Sequence, residues 1–167
     1  MATIRYRYRW GRYAIVTAAV VVTGLGVLRT HDTARVPVVD VIDGDTFRCS
    51  TGEGIRTVRV WGVDCPEVRQ AFGNEAAAWT AYRLCGHEVE IDVKSRDQYG
   101  RTVCKVRLPD GSDLGESLVL HGMAWWSSAY APKDAQLRRC ELKAREERLG
   151  LWIDEEPEPP WKWRARH

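Results

Sequence analysis

The sequence has no C-x-x-C pair among its five cysteines, and its four histidines are scattered, so a zinc site finds no ligands at the usual spacing. It also lacks a basic excess in its main part. Residues 1–30 hold five arginines (Arg5, Arg7, Arg9, Arg12, Arg29) and no acid, which leaves 20 basic against 23 acidic residues, a charge of about −3, for the rest. Phosphate binding by that body must therefore rest on individual arginines or on a cation, not on a broad basic surface. Internal repeats are absent, and biased composition is confined to the C-terminal tail. The uncharged run Tyr13–Leu28 has only 16 residues, short for a comfortable membrane span and suited to the apolar part of an export signal. No clear A-x-A cleavage site follows it. Residues 1–30 are accordingly expected to be a signal peptide or an uncleaved signal anchor, touching the membrane through residues 13–28. The arginines before the run keep the N-terminus in the cytoplasm and send the body outside, to the periplasm or the extracellular space.

What is present suits one domain with tails, at 167 residues. Residues 31–35 read as a polar linker, 36–153 as the folded body and 154–167 as a tail, acidic and proline-rich up to Pro160 and closing on Trp161–His167. That composition predicts an extended or disordered tail, whose tryptophans could stack on bases or lie on a membrane surface. Within the body, strands are expected at Val36–Ile42, Thr46–Cys49, Arg56–Val63, Glu88–Lys94 and Arg101–Leu108, with strict period-two alternation clearest in the fourth. Helices are expected at Asn74–Leu84, with Asn74 as its cap, at Asp113–His121 and at Lys133–Arg148. Five strands with a helix between the third and fourth, and helices after the sheet, predict an α+β protein built on a five-stranded barrel of OB type.

Two stretches carry the chemistry. Asp43-Gly44-Asp45 forms a turn between β-forming runs, and Val58–Glu67 places Asp64 at a strand end with Glu67 just beyond Pro66. Alternation puts Val58 and Val60 on one face and Arg59 with Trp61 on the other, so Arg59 is free to reach a ligand. Aspartates at strand ends, a nearby glutamate and an arginine suit a hard cation and a phosphate together.

These residues resemble the staphylococcal nuclease (thermonuclease) family from Val36 to Trp152. The resemblance rests on Ile42-Asp-Gly-Asp-Thr46, Arg59 with Val63-Asp-x-Pro-Glu67, Asp97-x-Tyr-Gly-Arg101 and the closing Leu149-Gly-Leu-Trp152. It implies an OB-fold barrel with three helices and a calcium-dependent phosphodiesterase acting on DNA or RNA; the protein is expected to be a monomer. On the matching positions, Asp45 and Asp64 are the calcium carboxylates and Cys65 adds a backbone carbonyl. Arg59 and Arg101 contact the phosphate, Glu67 is the general base, and Tyr99 and Tyr130 line the nucleotide pocket. Three features depart from the family pattern: Gln98 replaces a lysine, Ser128 a tyrosine, and the loop Val68–Gly73 is short. They bear on substrate affinity rather than on the chemistry. The competing reading is a non-catalytic OB module that binds single-stranded nucleic acid through Trp61, Trp125, Trp126 and Tyr130. Three carboxylates beside a phosphate argue against it. If the body is exported, at least one disulfide is expected, with Cys65 unpaired because it sits in the metal loop.

The expected address has a direct check. Protease added to spheroplasts should digest the body, whereas a body protected inside the cell would contradict the export reading.

Overall fold

The structure, a computed structural model, describes residues 33–167. The expected signal or anchor, residues 1–30, and its membrane-contacting run lie outside the described residues. In chain order the elements are β1 (Thr33–Val41), β2 (Thr46–Thr51), β3 (Gly54–Val60), β4 (Val63–Asp64), α1 (Gly73–Leu84), β5 (Glu88–Arg96), β6 (Thr102–Arg107), α2 (Leu114–Leu120), β7 (Trp125–Trp126), α3 (Ala135–Glu146), a 3-10 turn (Gly150–Ile153) and α4 (Pro160–Arg164). Five strands close a barrel in the order β1-β2-β3-β6-β5, while β4 and β7 pair separately.

Alternation explains the barrel. Phe47 and Cys49 on β2, Val58 and Val60 on β3, Val89 and Ile91 on β5, and Cys104 and Val106 on β6 are all buried, so every second residue fills the interior. Each such aliphatic side chain contributes about 1.5–3 kcal/mol when removed from water. Register shifts at Val38/Asp40 on β1 and at Val93/Ser95 on β5 add the local twist that a small closed sheet needs. Parallel pairing of β3 with β6, from Val58 opposite Thr102 to Val60 opposite Cys104, completes closure. A second apolar cluster, of Trp125, Ala144, Leu151 and Trp152 with Phe72 and Leu149 against it, lies beside the main core.

The expected α+β barrel of OB type is the observed fold, with differences in detail. β1 begins inside the stretch read as linker, because Thr33 to Pro37 pair with Asp92 to Glu88. Asn74 does not cap α1. Phe72 holds that position at φ 64, with no side-chain cap bond, while its ring packs on the second cluster. α3 starts after Lys133, where the Asp134 carboxylate accepts from the amides of Gln136 and Leu137. The acidic stretch 154–159 forms no helix or strand and is extended at Asp154 and Pro159, but the residues after it fold: α4 forms, Pro160 is buried, and Trp161 meets Trp125 edge-on with ring centroids 6.4 Å apart. Packing on the second cluster overrides what composition alone favours. The disulfide expectation is corrected, since all five cysteines are free thiols, four of them buried and only Cys85 exposed.

One buried bond ties helix to site. Thr80 on α1, fully buried, donates its hydroxyl to the Gly44 carbonyl at 2.6 Å. Thr80→Val keeps the shape but strands that carbonyl, which should cost about 1–3 kcal/mol in urea unfolding. An unchanged midpoint would show that the bond does not anchor the turn.

Candidate active site

The turn between β1 and β2 is closed by its own backbone and by Asp43. The amides of Ile42 and Asp43 both donate to the Thr46 carbonyl, at 2.9 and 3.2 Å, and Asp43 Oδ1 accepts from the Asp45 amide at 3.0 Å. Gly44 is required by space: a Cβ there would lie 2.7 Å from the Cys65 Cβ and 2.8 Å from its Sγ. The turn therefore presses directly on the segment after β4. Asp45 is locked to that segment, its Oδ2 accepting from the Cys65 amide at 2.9 Å. Its carbonyl accepts from the Val60 amide at 2.8 Å, which ties it to the end of β3 as well.

Gly62, at φ 78, reverses the chain from β3 into β4 and folds Arg59 back toward Asp64. The Arg59 fork then bridges the two aspartates: Nη1 to Asp45 Oδ1 at 2.5 Å and Nη2 to Asp64 Oδ1 at 2.8 Å. β4 is itself held by β7, with Asp64 opposite Trp125. Asp45 is 2% exposed and Asp64 5%, so two like charges are buried side by side. Burial pushes the Asp45 carboxyl up. Arg59 opposes that, but Asp43 and Asp64 add to it, and the net direction stays upward. Burial works against the Arg59 cation, yet Asp45 and Asp64 more than offset it and raise its pKa. The Cys65 thiol is held well above its usual range, first by burial and then by Asp45, so its sulfur remains protonated.

Glu67 follows on a tight loop. Its amide donates to Gln70 Oε1 at 3.1 Å, and its carbonyl accepts from the Gln70 amide at 2.7 Å. From the β5–β6 loop comes Arg101, whose Nε donates to Asp97 Oδ2 at 2.6 Å. Asp97 Oδ1 accepts from the amides of Tyr99 and Arg101, at 3.0 and 2.9 Å, so one carboxylate shapes the loop and aims the arginine. Among the described residues, no hydrogen bond engages the terminal nitrogens of Arg101. Tyr99 and Tyr130, 75% and 76% exposed, stand at the rim.

All eight residues singled out from the sequence, Asp45, Arg59, Asp64, Cys65, Glu67, Tyr99, Arg101 and Tyr130, line a single cavity of about 460 Å³. Gln98 lines it too, at the position where the family pattern has a lysine. The cavity also holds two residues that sequence reasoning did not assign, Asp43 and Arg164. Asp43 belongs to the turn motif, where its carboxylate also accepts from the Asp45 amide. Arg164 donates to both Asp64 and Glu67 from a tail that composition gave no reason to place here.

A closed OB-type barrel with carboxylates and arginines converging in one cleft defines the class: an OB fold with an acidic centre bridged by arginine. A match to the family described as "Staphylococcal nuclease homologue" covers residues 57–154. The micrococcal nuclease of Shigella flexneri is 37% identical over 139 residues, spanning 78% of this chain and 80% of that protein. An uncharacterized endonuclease of Escherichia coli is 34% identical over 129 residues, 77% of this chain and 84% of that protein. Endonuclease Htp3 of Saprolegnia parasitica is 32% identical over 162 residues, 80% of this chain and 77% of that protein. The chain belongs to the staphylococcal nuclease homologue family.

The Glu67 loop depends on a missing side chain. A Cβ on Gly73 would collide with the Glu67 carbonyl. Gly73→Ala should lower unfolding free energy by about 1–3 kcal/mol and shift the amide resonances of residues 67–70. Wild-type stability and an unshifted spectrum would contradict this packing.

Proposed function

We propose that the protein is a calcium-dependent nuclease that hydrolyses phosphodiester bonds of DNA or RNA by attack of water. The observation that carries this reading is the convergence of Asp45, Asp64, Glu67, Arg59 and Arg101 on one cavity in a member of a nuclease family. The donor set fits a hard cation. Among the described residues, no group of three or more His, Cys, Asp or Glu side chains forms a metal cage. A cation here would be held by the Asp45 and Asp64 carboxylates, with the Cys65 carbonyl and solvent filling the shell, which suits Ca²⁺ better than a thiolate-seeking metal. The protonated Cys65 sulfur offers no competing soft ligand. Burial gives the Asp45 carboxyl its upward push, Asp43 and Asp64 add to it, and a divalent ion beside these carboxylates would oppose it. When bound, such an ion offsets charge on the phosphoryl oxygens.

The chain's own residues supply the rest. Glu67, 38% exposed at its side chain, stands at the open side of the cleft, where it can take a proton from an attacking water. Arg101 offers a planar fork to the non-bridging oxygens, where charge grows in the transition state, and Arg59, whose terminal nitrogens already bridge Asp45 and Asp64, adds positive charge and its remaining N–H donors beside it. Tyr99 and Tyr130 present exposed rings for a base or sugar at the rim. Arg101 already lies 5.5 Å from the Tyr99 ring centroid, so the phosphate and base contacts share one loop.

Cleavage of single-stranded DNA, double-stranded DNA and RNA with Ca²⁺ or with chelator tests the reading. Activity should appear with Ca²⁺ and vanish with chelator. Glu67→Gln should retain nucleotide binding and lose about two to four orders of magnitude in single-turnover rate. Arg59→Lys should also impair turnover, because the bidentate geometry is lost. Binding without cleavage by the wild type would instead favour a non-catalytic OB module, and an undiminished Glu67→Gln would remove Glu67 from its role.

A further inference from the structure

The C-terminal stretch is fastened at several points before it reaches the cavity. Gln70 Nε2 donates to the Glu158 carbonyl, Pro160 is buried, Trp161 lies against Trp125, and Arg166 pairs with Glu158. α4 then carries Arg164 into the acidic centre. Its Nη2 donates to Asp64 Oδ2 at 2.8 Å, and its Nη1 to Glu67 Oε1 at 2.7 Å and to Asp64 Oδ1 at 3.3 Å. Asp64 and Glu67 together hold the Arg164 pKa above its ordinary value, chiefly through the hydrogen bonds to Asp64. The Arg164 side chain nevertheless keeps 47% of its surface exposed, so it is not sequestered.

The charge around the cavity gives this placement meaning. Its wall carries four carboxylates, Asp43, Asp45, Asp64 and Glu67, and three guanidinium groups, Arg59, Arg101 and Arg164. With two arginines, a divalent cation would bring the wall only to neutrality. With the third, the cation-loaded wall is net positive and suited to a phosphodiester anion. An ion drawing on Asp64 would compete with the contacts that Arg164 makes there, which would free guanidinium donors that face the cleft.

We propose that Arg164 is a third phosphate-facing arginine of this site, delivered by the C-terminal strap. It rests on Asp64 and Glu67, and it would donate to the substrate phosphate when a cation draws on Asp64. This inference rests on the nuclease reading above. It makes residues 158–164 part of the working site rather than an appendage.

Calorimetry on the full-length protein tests it with two probes, Ca²⁺ alone and a nucleoside 3′,5′-bisphosphate in saturating Ca²⁺. Arg164→Gln should weaken bisphosphate binding about tenfold or more, while Ca²⁺ alone binds as in wild type or tighter. Arg164→Lys should recover part of the loss. Trp161→Ala, which loosens the strap without touching the cavity, should reproduce the Gln phenotype. Bisphosphate affinity within about twofold of wild type in Arg164→Gln would overturn the inference. So would a variant that binds both Ca²⁺ and bisphosphate more tightly, since Arg164 would then be a plug. A wild type that binds no bisphosphate defeats the nuclease reading and this one together, whereas an unaffected Arg164→Gln beside a binding wild type defeats this one alone.

Discussion

Two carboxylates buried side by side cannot remain ionised without a cation between them, and Arg59 is the cation that the chain itself supplies. Its fork spans Asp45 and Asp64 at 2.5 and 2.8 Å, in surroundings that leave both aspartates almost wholly buried. Removing one partner from such an arrangement typically costs about 3–5 kcal/mol, because the remaining charges lose compensation. Burial nonetheless outweighs Arg59 in its effect on the Asp45 carboxyl, so the bridge only partly satisfies the charge.

The fold serves that requirement as a jig. The turn after β1, the reversal at Gly62 and the pairing of β4 with β7 bring Asp45 and Asp64, from two separate segments, within hydrogen-bonding reach of one guanidinium. Each closes where bulk would prevent it: Gly44 against Cys65, and Gly73 against the Glu67 carbonyl. α1 supports the assembly from behind, through Thr80 on the Gly44 carbonyl. The β5–β6 loop, organised by Asp97, adds Arg101 and Tyr99 from the far side of the cleft. Regular elements thus carry the acidic centre, and exposed loop residues line the open side of the cleft.

Much of this was legible because it is local. Period-two alternation marked the barrel strands, and the short motifs around Asp45, Arg59, Asp64, Glu67 and Arg101 each sit in a single turn or strand. What escaped was set by distant packing. Phe72 takes a left-handed backbone at the start of α1, a cost for a bulky residue that its contact with the second apolar cluster offsets. The tail reads as disordered by composition, yet Pro160 and Trp161 find a surface built from residues far earlier in the chain. Arg164 lies 97 residues from Glu67 in sequence, and no local pattern could announce their contact. The cysteines, expected to include a bridged pair, instead serve chiefly as small apolar fillers, four of them buried as free thiols.

The central claim is that Asp45 and Asp64, bridged by Arg59, form one cation-binding centre. Titration of Ca²⁺ into the wild type and into Asp45→Asn, followed by calorimetry at neutral pH, tests it most directly. The account predicts one binding event in the wild type and its loss in Asp45→Asn, with the fold retained. Ca²⁺ binding of equal affinity in both proteins would contradict it.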